Sequence, residues 1–327
     1  MLRSLAAAAE RWPLAGAFVI SRGTKTEAEV VVVELTQGGV RGRGECTPYA
    51  RYGETPASVL AQIDGVRAAL EAGCGRDELQ GLMAPGAARN ALDCALWDLG
   101  AKLTGERAFR LAGRARPGPV KTAFTISLGS PRQMAEVAAH AARRPMLKLK
   151  LGAPGDIERV QAVRAAAPRT RLIVDANEGW DFAMLRALAP ELAELDVKLI
   201  EQPLKAGEDS VLEGYDSPVP LCADESLHTR AELGDCARRY GCVNIKLDKA
   251  GGLTEALALA AEARGLGLKI MIGSMVATSL SMAPALILAQ GADFVDLDGP
   301  LLLARDREPG LSYLGSMIEP PRPELWG

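Results

Sequence analysis

Arg171-Leu172-Ile173-Val174-Asp175-Ala176-Asn177 and Val197-Lys198-Leu199-Ile200-Glu201-Gln202-Pro203 have one form: a short apolar strand that ends in an acid. Ahead of them stands Met146-Leu147-Lys148-Leu149-Lys150-Leu151, an apolar strand carrying two lysines. Behind them come Leu221-Cys222-Ala223-Asp224 and Val243-Asn244-Ile245-Lys246. The steps from Lys150 to Asp175, Glu201, Asp224 and Lys246 are 25, 26, 23 and 22 residues. Each step has the length of one strand plus one returning helix, so the repeat is a βα unit.

Working outward, the same texture predicts strands over 121–127, 147–151, 171–175, 197–201, 219–223, 243–247, 268–272 and 294–297. Ala-rich helical stretches over 133–144, 157–167 and 254–264 lie between them. Eight strands alternating with helices predict an α/β fold, a TIM-like (β/α) barrel. No G-x-G-x-x-G follows a strand, so a dinucleotide site loses its main support. Residues 1–115 read differently. A β-branched strand at Val30–Leu35 turns at Gln37-Gly38-Gly39 into a partner over 40–45, and helices follow over 56–72 and 86–103. This is an α+β domain preceding the barrel.

Composition narrows the partners. The net charge is −3 and aromatic residues make up 4% of the chain, which predicts no nucleic-acid platform. No run is long and apolar enough for a membrane span. The N-terminal apolar run is too short for a signal peptide and is broken by Glu10 and Arg11. Six cysteines without a C-x-x-C pair read as buried, reduced thiols, hence a cytoplasmic setting.

In a barrel, the carboxyl ends of the strands form the mouth where active sites are built. Asp175, Glu201 and Asp224 come from successive strands and converge there. Three like charges in a small space call for a cation, and all-oxygen ligands favour Mg²⁺ or Mn²⁺. Lys148 and Lys150 point to one side of the second strand, and Lys246 comes from the sixth, across the ring. Bases on opposite faces suit racemisation or epimerisation of a carbon next to a carboxylate. The cation then stabilises the enolate. A free lysine has a pKa of about 10.4, and like-charge repulsion from Lys148 would bring Lys150 down. The two histidines, His140 and His228, fit no His-Asp dyad or hydrolytic triad.

These residues resemble the enolase superfamily, in its muconate-lactonizing subgroup. The likeness rests on Lys148-Leu149-Lys150, Asp175-Ala176-Asn177, Glu201-Gln202-Pro203, Ala223-Asp224-Glu225-Ser226, and Asn244-Ile245-Lys246-Leu247-Asp248 with Gly251-Gly252. It implies a (β/α)₇β barrel over 116–310, a capping domain over 1–115, and a tail over 311–327 that returns to the cap. It also implies Asp175, Glu201 and Asp224 as Mg²⁺ ligands, and Lys150 and Lys246 as the acid/base pair; Lys148, beside Lys150 on the same strand face, reads as a group for a substrate carboxylate oxygen. Within the subgroup the chain is most similar to dipeptide epimerases acting on L-Ala-D/L-Glu in cell-wall peptide recycling. Asp296-Leu297-Asp298 matches their Asp-x-Asp motif for the dipeptide ammonium. The resemblance places Thr125, Ser274 and Met275 on the substrate pocket, with cap loops over 20–26 and 47–54 closing it. Arg22 then faces an acidic substrate side chain. The expected partner is a small dipeptide, and a homo-oligomer is compatible with the sequence.

Alternatives stay open at this point. One is a sister activity on the same lysines: o-succinylbenzoate synthase, N-succinylamino acid racemase or muconate cycloisomerase. Another is a dipeptide epimerase of other specificity. A third is a non-catalytic metal- or peptide-binding barrel.

Overall fold

The computed structural model describes residues 3–327. Its first sheet is an antiparallel meander of β1 (Arg3–Ile20), β2 (Gly23–Gln37) and β3 (Val40–Cys46). The β2–β3 hairpin turns on Gly38 and Gly39 with φ of +59° and +80°. Two central residues in the left-handed region match the twist of the strands, and glycine takes that region without strain. β1 went unread in the sequence. Its run Ala6-Ala7-Ala8-Ala9 has helical propensity, but pairing along β2, from Arg3 opposite Gln37 to Pro13 opposite Glu27, imposes a strand.

β2 is buried on both faces. Val31, Val33 and Leu35 join one core with the helix Ala87–Thr104, while Val30 and Val32 belong to the barrel's core. The same helix lies hard against β3. A Cβ at Gly44 would stand 2.0 Å from the Ala91 carbonyl oxygen, so only glycine permits this approach. The predicted helix over 56–72 is two, Pro56–Gly65 and Arg67–Glu71, parted at Val66.

The second sheet holds β5 (Phe124–Ile126), β6 (Met146–Lys150), β7 (Arg171–Asp175), β8 (Val197–Glu201), β9 (Leu221–Ala223), β10 (Cys242–Ile245), β11 (Lys269–Gly273) and β12 (Phe294–Asp296), parallel and in sequential order. The Ala123 amide donates to the Val295 carbonyl at 2.8 Å and joins the first strand to the last. All eight predicted strands are present. A small antiparallel sheet of β4 (Val120–Lys121), β13 (Tyr313–Leu314) and β14 (Met317–Ile318) sits where the chain enters the barrel.

Strand parity places the chemistry. Ala123, Met146, Ile173, Leu199, Cys222, Cys242, Met271 and Phe294 form a closed apolar layer inside the ring. Two residues further along a strand the side chain returns to the same face. Lys148, Asp175, Glu201, Asp224, Asn244, Gly273 and Asp296 therefore stand directly above that plug. The opposite parity, including Leu147, Leu149, Leu172, Val174, Ile200, Val243 and Ile272, packs outward under the helices. All six cysteines are buried and free. Among the described residues, no helix is long and apolar enough to cross a membrane.

Candidate active site

Above the apolar layer, four ammonium groups interleave with four carboxylates. Lys148 Nζ lies 2.7 Å from Glu201 Oε2, 2.8 Å from Asp296 Oδ2 and 3.1 Å from Asp175 Oδ2. Lys150 Nζ donates to Asp175 Oδ2 at 2.6 Å. Lys246 Nζ donates to Asp224 Oδ2 at 2.6 Å, and Lys249 Nζ to Asp224 Oδ1 at 2.6 Å. β6 and β10 are separated by β7, β8 and β9 on one side and by β11, β12 and β5 on the other. Lys150 and Lys246 thus rise from opposite walls.

The local backbone holds the acids still. The Asn177 amide donates to Asp175 Oδ1 at 2.9 Å, and Asn244 Nδ2 to Glu201 Oε1 at 2.8 Å. Gln202 Oε1 accepts from the Asp224 amide at 2.8 Å. Asn177, Glu178 and Gln202 have φ of +44°, +65° and +33°. Such non-glycine conformations just beyond strand ends cluster at functional sites, where the surroundings over-determine them.

Burial and charge compete at each group. Burial alone would strip the proton from Lys148, but Asp296, Glu201 and Asp175 hold it well above the ordinary lysine range. Lys246 is likewise raised, because Asp224 and Glu201 outweigh its burial. Asp224 would rise by burial, but Lys246 and Lys249 pull it well below its usual value. Asp175 is lowered against burial by Lys150 and Lys148. Glu201 goes the other way: burial, then the Asp175 charge, push it up to about 7.

Glu201 Oε2 shows the imbalance in its geometry as well. It is close to the Lys148 ammonium, yet the angle is not that of a hydrogen bond, and the buried oxygen has no hydrogen-bond partner. Among the described residues, no three acids, histidines or cysteines form a metal cage unaided; lysines stand between the acids. An under-satisfied oxygen within an all-oxygen set of Asp175, Glu201 and Asp224 fits a small hard cation.

A cavity of about 440 Å³ opens over this layer, lined by Arg22, Lys150, Asp224, Lys246, Ser274 and Met275 among others. It brings together six of the residues singled out from sequence. Thr125, Asp296 and Asp298 sit beside it rather than on its lining. The Thr125 amide donates to Asp298 Oδ2 at 2.6 Å, and Ser274 Oγ to the Asp296 carbonyl at 3.3 Å. Burial, then the neighbouring Asp296 charge, push Asp298 up to about 7. A similar hollow of about 490 Å³ beside Arg114, Arg116 and Arg264 has no acid on its lining and lies away from this chemistry.

At the mouth, Arg22 is tied to the barrel. It meets Glu225 Oε1 at 2.7 Å, Glu178 Oε2 at 3.1 Å and the Asn177 carbonyl at 2.8 Å. Arg51 grips Glu178 with two hydrogen bonds of 2.8 Å. Sequence reasoning gave no role to Glu178, Glu225, Arg51 or Lys249, although Glu225 stands in a quoted motif. The one available signal was position, since Glu178 and Glu225 directly follow the Asp175-Ala176-Asn177 and Asp224 strand ends. His228 packs edge-on to Tyr52 at 4.5 Å, and His140 is exposed on its helix.

Residues 3–113 match the mandelate racemase / muconate lactonizing enzyme N-terminal domain, and residues 132–301 match the enolase C-terminal domain-like family. The L-Ala-D/L-Glu epimerase of Escherichia coli (strain K12) is 51% identical over 95% of this chain and 98% of its own. An enolase family member from Agrobacterium tumefaciens with homology to dipeptide epimerases, solved with sodium and L-Ala-L-Glu, superposes with a TM-score of 0.98. It is 53% identical, over 99% of this chain and 100% of its own. The dipeptide epimerase of Enterococcus faecalis V583, complexed with Mg and L-Leu-L-Tyr, has a TM-score of 0.90 at 28% identity, over 98% of each chain. With both of its regions matched and the barrel's rim built from the acids and lysines described above, the chain belongs to the enolase superfamily, in the branch of mandelate racemase and muconate lactonizing enzyme.

Proposed function

We propose that this chain is an Mg²⁺-dependent dipeptide epimerase that inverts the α-carbon of the second residue, with L-Ala-D/L-Glu as its substrate. The observation that carries this reading is the pair of ammonium groups, Lys150 and Lys246, on opposite walls of one cavity. In its neutral form one lysine removes the α-proton. The other, as an ammonium, delivers a proton to the opposite face, and exchanging the two roles gives the reverse reaction. Asp175, Glu201 and Asp224 would hold Mg²⁺, which when bound supplies a Lewis acid against the negative charge that builds on the substrate carboxylate. Lys148 adds a fixed positive charge beside the same carboxylate.

Asp296 and Asp298 receive the dipeptide's ammonium group, and Arg22 meets the acidic side chain. Thr125, Ser274 and Met275 shape the remaining wall. Residues 1–115 act as a cap over the barrel of 116–310, with 311–327 as the tail returning to it. The setting that follows is the cytoplasm, in the recycling of cell-wall peptides. The names and ligands of the relatives support the substrate class.

Proton NMR in D₂O tests the reading. L-Ala-L-Glu and L-Ala-D-Glu should each lose the Glu α-proton signal and yield the other diastereomer, only with Mg²⁺ present. Exchange on N-succinylamino acids but not on either dipeptide would sink the dipeptide assignment and leave the lysine chemistry standing.

A further inference from the structure

Lys249 is one of the largest fully buried side chains in the molecule, at 1% exposure, and the reaction above gives it no task. Its place follows from the chain immediately beyond β10. Leu247–Ala250 is a single helical turn, with the Lys249 and Ala250 amides returning to the Lys246 carbonyl at 3.1 and 3.0 Å. That turn folds Lys249 back beneath Asp224. The cap holds it there: Arg89 donates to the Ala250 and Gly251 carbonyls at 2.8 and 3.0 Å. A Cβ at Gly251, where φ is +78°, would stand 2.6 Å from the Arg89 guanidinium. The turn therefore has one position available to it.

An ammonium has three protons to give. Lys249 directs its own to Asp224 Oδ1 at 2.6 Å, the Asn244 carbonyl at 3.1 Å and the Asp224 carbonyl. It does not line the substrate cavity; it faces a separate hollow beside Tyr52 and His228. Whatever Lys249 does for the reaction, it does through Asp224. Among the described residues, the only other side chain bonded to that carboxylate is Lys246, at Oδ2. Lys246 is a poor anchor, because in the proposed reaction its proton leaves and returns in each cycle. Lys249, sealed from substrate, keeps its contacts throughout.

We infer that Lys249 is the positioning residue for Asp224, locking one carboxylate oxygen from behind so that the other is presented at a fixed place in the metal-binding mouth. This rests on the reading of Asp224 as a metal ligand. A purely electrostatic role predicts the opposite response to its loss. Taking a cation away from Asp224 would make the site more attractive to a divalent ion, whereas losing an orienting partner weakens metal binding, ordinarily by 10- to 100-fold, on the order seen for such partners.

Lys249→Met keeps the aliphatic stem and removes the donors. Chelator-treated wild type and variant are titrated with Mg²⁺ by calorimetry, and kcat and KM for L-Ala-L-Glu are measured across Mg²⁺ concentrations. The expected result is a Kd for Mg²⁺ raised about 10- to 100-fold, with much of kcat regained at saturating Mg²⁺. A folded variant with an unchanged or lower Kd overturns the inference while leaving the metal reading intact. Wild type that takes up no Mg²⁺ overturns the metal reading, and the inference with it. If Lys249→Met alone does not fold, the double variant Asp224→Asn/Lys249→Met removes both charges together and should melt close to Asp224→Asn. A double variant as unstable as Lys249→Met places its role elsewhere and refutes the pairing.

Discussion

The three lysines of the rim should respond very differently to removal, and the contacts give the order. Deleting one partner of a buried ion pair costs about 3–5 kcal/mol when the other is left without compensation. Lys150→Ala does not create that situation, since Asp175 keeps Lys148 at 3.1 Å and the Asn177 amide at 2.9 Å. Nor does Lys246→Ala, since Asp224 keeps Lys249 at 2.6 Å. Each loses one charge-assisted hydrogen bond, worth about 2 kcal/mol. Lys148→Ala is different. Among the described residues, Lys148 is the only hydrogen-bond partner of the Asp296 carboxylate and the only ammonium in ion-pair contact with Glu201, so its loss should cost the full 3–5 kcal/mol or so. Urea unfolding in chelator should therefore rank Lys148→Ala well below the other two in stability. Catalysis should rank otherwise. Losing a general base costs about 10²- to 10⁴-fold, so Lys150→Ala and Lys246→Ala should lose epimerisation while folded. Each should still exchange the α-proton of one diastereomer with D₂O, and the two variants should differ in which. Epimerisation at the wild-type rate in either variant, or a Lys148→Ala protein as stable as Lys150→Ala, would refute this account.

Gly44→Ala drives a Cβ to within 2.0 Å of the Ala91 carbonyl, and should destabilise the protein by about 3 kcal/mol or more in urea unfolding. Asp93, buried beneath the barrel turn, has its carboxyl raised by burial from 3.8 to about 6. The unfolded chain gives up that proton first, so the stability this group contributes is fully present below pH 3.8 and lost as pH rises to about 6. Relative to Asp93→Asn, wild type should lose about 3 kcal/mol across that window, read from unfolding curves at successive pH values. Arg22→Met should raise KM for L-Ala-L-Glu at least about 10-fold, the loss of roughly 1.4 kcal/mol or more of binding. It should change KM for L-Ala-L-Gln much less, and equal effects on both substrates would remove Arg22 from side-chain recognition.

The barrel was legible because period-two parity writes the inward face directly into the sequence. Ile173 to Asp175, Leu199 to Glu201 and Cys222 to Asp224 each step from plug to rim in two residues. Spacing alone set the acids and lysines at the mouth of a ring. Contacts between distant segments were not legible. β1 exists because it pairs with β2, which no local pattern in Ala6–Ala9 announces. The proximity of Lys148 to Lys150 read as like-charge repulsion, whereas each ammonium in the fold meets at least one carboxylate of another strand. Lys249 drew no attention in the sequence, and only the helical turn after Lys246 carries it back to Asp224. Glu178 and Glu225 became visible as partners only once the N-terminal domain placed Arg22 and Arg51 against them.

The double-faced burial of β2 has a consequence for motion. With alternate side chains committed to two different cores, the first sheet cannot swing away from the barrel without tearing a continuous apolar interior. The two should melt in one cooperative transition. Opening the cavity to solvent then falls to segments tied across its mouth by ion pairs, the 21–22 turn and the 47–54 loop, whose Arg22 and Arg51 can let go of Glu225 and Glu178 without disturbing either core. Breathing at this site therefore depends on charge and salt, and its rate should quicken as ionic strength rises.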